Sequence, residues 1–275
     1  MPRRLPERYI VGREQLEKVK DLTLFYPCSG RDLSVPIKIF SPYVTDFWFV
    51  DCNYFSQNTP ADKQQPVLDR NRCYELLSKN IEGPPAWPSH EADITPCILT
   101  ETYRHLKTGR IIRVHRRRGY GFSTLRFEKR MGKLGVFFYR GDSQGEGGSG
   151  NHWLKQEHLD EIFAKLINGG LLVLDGSDGR PYYRKRKGIY KEICKYARDE
   201  DQHLPNNPEE LLASMSTVVD NKGRKYSCVG YAGRKYEPTM IWQVEYPPGV
   251  IIPPPDISRL VTTSRRRQRL PKNGR

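Results

Sequence analysis

Short, unbroken apolar runs recur along the chain, and a polar residue closes each of them. Leu22-Thr23-Leu24-Phe25-Tyr26 stops at Pro27, Ser29 and Gly30, and Phe47-Trp48-Phe49-Val50 stops at Asp51. Gly135-Val136-Phe137-Phe138-Tyr139 leads into Arg140-Gly141-Asp142, and Leu171-Leu172-Val173-Leu174 ends at Asp175-Gly176-Ser177. Runs without polar alternation suit strands covered on both faces. Between them the spacing is helical. It predicts short helices over 13–20 and 32–40, one over 67–80 and one over 154–167. Asn168-Gly169-Gly170 would stop the last of these as a C-cap glycine does. A basic helix or loop over 184–198 and a helix over 208–215 come next.

Two stretches alternate instead. Residues 111–115 and 123–127 flank Arg116-Arg117-Arg118-Gly119-Tyr120-Gly121, which predicts an antiparallel hairpin with one wet face. Residues 225–231 and 239–246 predict a closing hairpin. Strand–helix alternation implies right-handed crossovers and a mainly parallel sheet, here with a terminal antiparallel hairpin. The expected class is therefore α/β. Three regions are expected: a basic N-terminal segment over 1–20, one domain over 21–247 with a basic hairpin inserted at about 100–133, and a Pro-rich basic tail over 248–275.

Composition narrows the class. No run of 18 apolar residues occurs among the 275, which argues against a membrane span. The first twenty residues lack the apolar core of a secretion signal, so the expected compartment is cytoplasmic and the six cysteines are expected to be reduced thiols. Forty-six Lys+Arg against 32 Asp+Glu leave +14, which points to an anionic partner, nucleic acid first. The 104–133 stretch alone holds eleven Lys/Arg, with Tyr120 and Phe122 among them. Arg113, Arg116, Arg117, Arg118 and Tyr120 would suit phosphate contact plus base stacking. Arg184, Lys185 and Arg186 form a second patch, and Arg265-Arg266-Arg267 a third. The plainer reading of these clusters is a solvated hairpin or a contact with a protein partner or second copy.

In parallel sheets ligands sit beyond the carboxyl ends of the strands. That singles out Ser29, Gly30 and Asp32, then Asp51, Asp142 and Asp175. A carboxylate closing an apolar strand needs hydrogen bonds, from a ligand hydroxyl or from nearby backbone. GDSQGEGGSG has five glycines in ten residues, so it is either a ligand-covering loop or a plain surface loop. His152, next to it, suits a general base, and Trp153 suits stacking or anchoring the loop.

With those residues in place, the order of elements resembles the Rossmann-like fold of class I S-adenosylmethionine-dependent methyltransferases. LTLFYPCSGRD stands where that family has its first glycine-bearing loop, and FWFVD where it has the acidic residue that bonds ribose hydroxyls. GVFFYRGD stands at the fourth strand, INGGLLVLDGS at the fifth, and SCVGYAGRKYEPTMIWQVEY at the terminal strand pair. The resemblance spans roughly residues 20–247 and implies a three-layer sandwich. It implies S-adenosylmethionine held by Tyr26, Gly30, Asp32 and Asp51, and catalysis by Asp142, Glu146 and His152 on a nucleic acid or nucleotide-like substrate. The loop departs from the family's G-x-G-x-G, carrying Gly30 followed by Arg31 and Asp32, and D/N-P-P-Y/F is absent from the fourth strand. The competing reading is a non-catalytic Rossmann-like nucleic-acid-binding module or a subunit of a larger assembly. A third is another nucleotide-using transferase.

Overall fold

The computed structural model describes residues 8–86, 96–139, 156–174, 217–220, 222–234 and 237–249. Among these described residues, eleven strands form one mixed sheet. They are β1 (Arg8–Val11), β2 (Thr23–Pro27), β3 (Asp46–Asp51), β4 (Tyr74–Glu82), β5 (Ile98–His105), β6 (Ile111–Arg118), β7 (Leu134–Tyr139), β8 (Leu166–Leu174), β9 (Val218–Val219), β10 (Lys225–Arg234) and β11 (Glu237–Glu245). Four α-helices among the described residues accompany them: α1 (Arg13–Lys18), α2 (Ser34–Phe40), α3 (Gly121–Phe127) and α4 (Gln156–Lys165). The order across the sheet is β1-β10-β11-β8-β7-β2-β3-β6-β5-β4, with β9 on β10.

The four unbroken apolar runs form the centre as predicted. β2 is buried at every position, and so is β7. β2 pairs in parallel with β3 and β7, β3 with β6, and β7 with β8. Alternate residues feed two separate clusters. Phe25, Trp48, Phe137 and Leu172 pack with Leu125 of α3 and with Ile162 and Phe163 of α4. Leu24, Tyr26, Phe49 and Phe138 pack with Leu16 of α1 and with Ile37 and Phe40 of α2. Both faces of the central strands are therefore covered, which explains why these runs carry no polar alternation. In α2 the proline, Pro36, falls in the first turn, where a missing N–H costs no helical bond. The closing hairpin β10–β11 also forms as expected.

Several expectations change. The sheet is not mainly parallel: four of its pairings are parallel and six antiparallel. The parallel centre is extended on both sides, by β5 and β4 beyond β6 and by β11, β10 and β1 beyond β8. The basic hairpin is β5–β6, and the predicted strand over 123–127 is helix α3. Its five residues are too few to separate the two periodicities, and Thr124 and Leu125 both turn inward. The predicted helix over 67–80 is a series of turns followed by the edge strand β4, bulged at Leu77. Asn168-Gly169-Gly170 does not cap α4, which ends at Lys165. These residues bulge out of β8, since β7 pairs Leu134 with Leu166 and next Val136 with Leu171. Gly169 takes φ +80°, and its carbonyl accepts from Gln243 Nε2 at 3.2 Å.

Within the N-terminal segment β1 pairs with β10, and α1 buries Leu16. Among the described residues no helix is long and apolar enough to cross a membrane. The predictions for 184–198, 208–215 and the tail beyond 249 lie outside the described residues.

Candidate functional site at the strand ends

β2 and β3 run side by side, so the turns that leave them emerge together. After Pro27 the chain reverses sharply, with Cys28 at φ +53° and Gly30 at φ +51°. The glycine makes the second of these inexpensive. The turn is pinned to β3: Ser29 N donates to Val50 O at 3.3 Å, and Gly30 N donates to Asp51 Oδ2 at 2.9 Å. Asp51 Oδ1 accepts from Asn53 N at 2.8 Å. One carboxylate thus organises both turns.

Tyr54 completes the link. Its hydroxyl donates to Gly30 O at 2.8 Å and lies 2.7 Å from Ser29 Oγ. A phenol has one proton to give, so Ser29 is the donor in the second contact. Burial raises the Tyr54 pKa above that of an ordinary phenol; the Ser29 hydrogen bond opposes this and the Asp51 charge adds to it. The hydroxyl therefore stays protonated, as its bond to a carbonyl requires. Tyr26, fully buried, donates to Asp32 Oδ2 at 3.3 Å.

Of the predicted cofactor residues, Tyr26, Gly30, Asp32 and Asp51 all border this strand end, and Gly30 and Asp51 touch. Asp142, Glu146, His152, Arg184, Lys185 and Arg186 lie outside the described residues. Tyr54 and Asn53 were missed on sequence. The signal was present in Asp51-Cys52-Asn53-Tyr54-Phe55, where two aromatics follow a strand-closing acid.

The arginine cluster is not the exposed tip expected of it. β6 alternates in burial, and Arg116 and Arg118 continue the inward stripe of Ile112 and Val114. Both are only 6% exposed. Arg116 donates to the fully buried Glu101 at 2.8 Å and to Gln65 O at 3.1 Å. Arg118 donates to Phe55 O at 3.3 Å, and Arg117 to Thr124 Oγ1. Arg113 lies on the opposite side of β6 and forks onto Asp46, with Nε and one terminal nitrogen at 2.7 and 2.8 Å. The apolar residues set the register, and the arginines on the same stripe are carried inward with them. Tyr120 does stand exposed, just past Gly119, whose N–H donates to Asp51 O at 3.2 Å.

The chemistry open to this site follows from its unused acceptors. A carboxylate offers about four acceptor sites. The two bonds named on Asp51 leave one on each oxygen, enough for two neighbouring hydroxyls. Among the described residues, a Cβ added to Gly30 would meet nothing within 4 Å. These features fit the ribose end of a nucleoside cofactor. Among the described residues no group of three or more His, Cys, Asp or Glu is placed to hold a metal ion. No protein-family model, curated protein or solved structure matches the chain.

Proposed function

We propose that this chain is a Rossmann-like, class I methyltransferase-type protein that binds S-adenosylmethionine at the β2–β3 strand ends and acts on a nucleic acid or nucleotide-like substrate. The observation that carries the reading is the bond from Gly30 N to Asp51 Oδ2, which joins the first turn to the acid of the second parallel strand. The strand order supports it. Counting β2 as first, the parallel centre β6-β3-β2-β7-β8 reads 3-2-1-4-5, the order of dinucleotide-binding sheets. The antiparallel pair β10–β11 beyond it corresponds to the terminal hairpin of the resemblance.

In this reading Asp51 accepts the ribose hydroxyls, and the turn at Gly30 lets backbone approach the ligand. Tyr54 and Ser29 hold that turn in shape. The exposed ring of Tyr120 is available to stack on a base. The cofactor supplies an activated methyl group, and the protein's part is to set donor and acceptor in line. Titration calorimetry with S-adenosylmethionine tests this. Binding that Asp51→Asn weakens about tenfold supports it, and at a hundred times the dissociation constant the wild type should gain about 2.7 kcal/mol of stability. No binding to the wild type refutes it.

A second reading, a module without methylation chemistry, has one observation in its favour. Asp51, Tyr54, Ser29 and Gly30 already bond to one another, so the turn is held without a ligand. Intact stability with no cofactor response selects that reading.

A further inference from the structure

We propose that a groove along α2 binds a nucleoside phosphate, either a free nucleotide or one unit of a single strand. The groove has a volume of about 580 Å³, within the usual range for small-molecule sites. It starts at Ser34, just beyond the Gly30–Asp32 turn, and follows α2 to Ser41 and Pro42. Its opposite wall is the segment from Val67 to Tyr74, closed by His105. The floor includes Ile37 and Leu68, and the rim carries Lys38, Arg70 and Arg72. Among the described residues, no carboxylate lines it. A net cationic rim over an apolar floor matches a flat base bearing a phosphate, whereas a bare ion would leave the floor unused.

The wall is built rather than incidental. Glu101 Oε2 accepts from Val67 N at 3.1 Å, and Tyr103 Oη accepts from Leu68 N at 3.3 Å. Tyr74 Oη donates to Ser41 Oγ at 2.7 Å, tying β4 to the end of α2. Glu101, Tyr103 and Leu68 are all buried, so the wall keeps its shape before a ligand arrives, which limits the ordering cost of binding. Arg70 and Arg72 are exposed and lie on no strand or helix, so removing them should leave the fold intact.

Its lining residues do not include Gly30, Asp51 or Tyr54, so the groove does not rest on the cofactor reading. Titration calorimetry with nucleoside 5′-monophosphates, inorganic phosphate and an unphosphorylated ten-nucleotide single strand tests it. Arg70→Ala with Arg72→Ala should weaken nucleotide binding roughly tenfold to a hundredfold, as expected for lost charge-assisted bonds. Ser34→Trp, which fills the groove without changing charge, should weaken it comparably. Lys129→Ala with Lys133→Ala removes the same charge elsewhere and should change little. Preference for monophosphates identifies the free nucleotide, and preference for the oligonucleotide identifies the strand. Equal affinity for inorganic phosphate, or binding untouched by Ser34→Trp and by the arginine pair, overturns the proposal.

Discussion

The two ends of β3 hold their aspartates in different ways. At the amino end, Asp46 takes a forked guanidinium from Arg113, with His115 Nε2 at 3.4 Å. At the carboxyl end, Asp51 is met by the backbone N–H groups of Gly30 and Asn53. Glu101 on β5 follows the first pattern, sealed by Arg116. An acid locked to a guanidinium has spent its charge within the fold. An acid held by two amides keeps unused acceptor sites. Position at the carboxyl end of parallel strands is what separates the two, because only there do turn amides converge.

Removing the lock should have the largest effect. Arg116→Ala takes the buried partner from Glu101 and should cost roughly 3–5 kcal/mol. Chemical denaturation checks it, and a loss under about 1 kcal/mol would mean that water reaches Glu101. Next comes Asp51→Asn, which removes one acceptor oxygen from a half-buried site. It should cost about 1–2 kcal/mol of stability while weakening cofactor binding more than that loss alone explains. Equal, small effects on both would erase the distinction drawn between the two ends of β3.

The third test uses acid. Burial opposes ionisation of Asp46, but hydrogen bonds from His115 and Arg113 and the Arg113 charge outweigh it and hold the carboxyl well below its ordinary 3.8. A lowered folded-state value means stability that is present above the unfolded pKa and lost as pH falls below it. Wild-type melting temperature should therefore drop below about pH 4, and Asp46→Asn should flatten that limb. Parallel curves for the two proteins would show that the fork contributes no acid sensitivity. The smallest effect is expected at the exposed pair of Arg104 and Glu75, each 50% exposed. Glu75→Ala should stay within about 0.5 kcal/mol of wild type by the same denaturation assay.

Much of the centre could be read directly. β2, β3, β7 and β8 carry short unbroken apolar runs that suit burial on both faces, and the residues that close β2 and β3 mark the candidate site. What could not be read was partnership across distance. Arg116 looks like a surface residue until Glu101, on the neighbouring strand, is known to face it. The 123–127 segment satisfies strand and helix periods alike, and only packing against α4 and β2 decides it. β4 was illegible for another reason: its residues are nearly all exposed, so no buried face imposes a period on the sequence. In the site, Gly30 and Asp51 were marked by their positions after strands. Tyr54 acts through a hydroxyl on the opposite turn, which spacing along the chain does not reveal.

The pairing of β1 with β10 also sets a timetable. Arg8 finds its place opposite Gly233, so β1 waits for a partner strand made about 225 residues later. During synthesis the edge of the growing sheet stays open, and loop closure over so long a span is slow. An appendage fused just ahead of Arg8 would burden that late docking event.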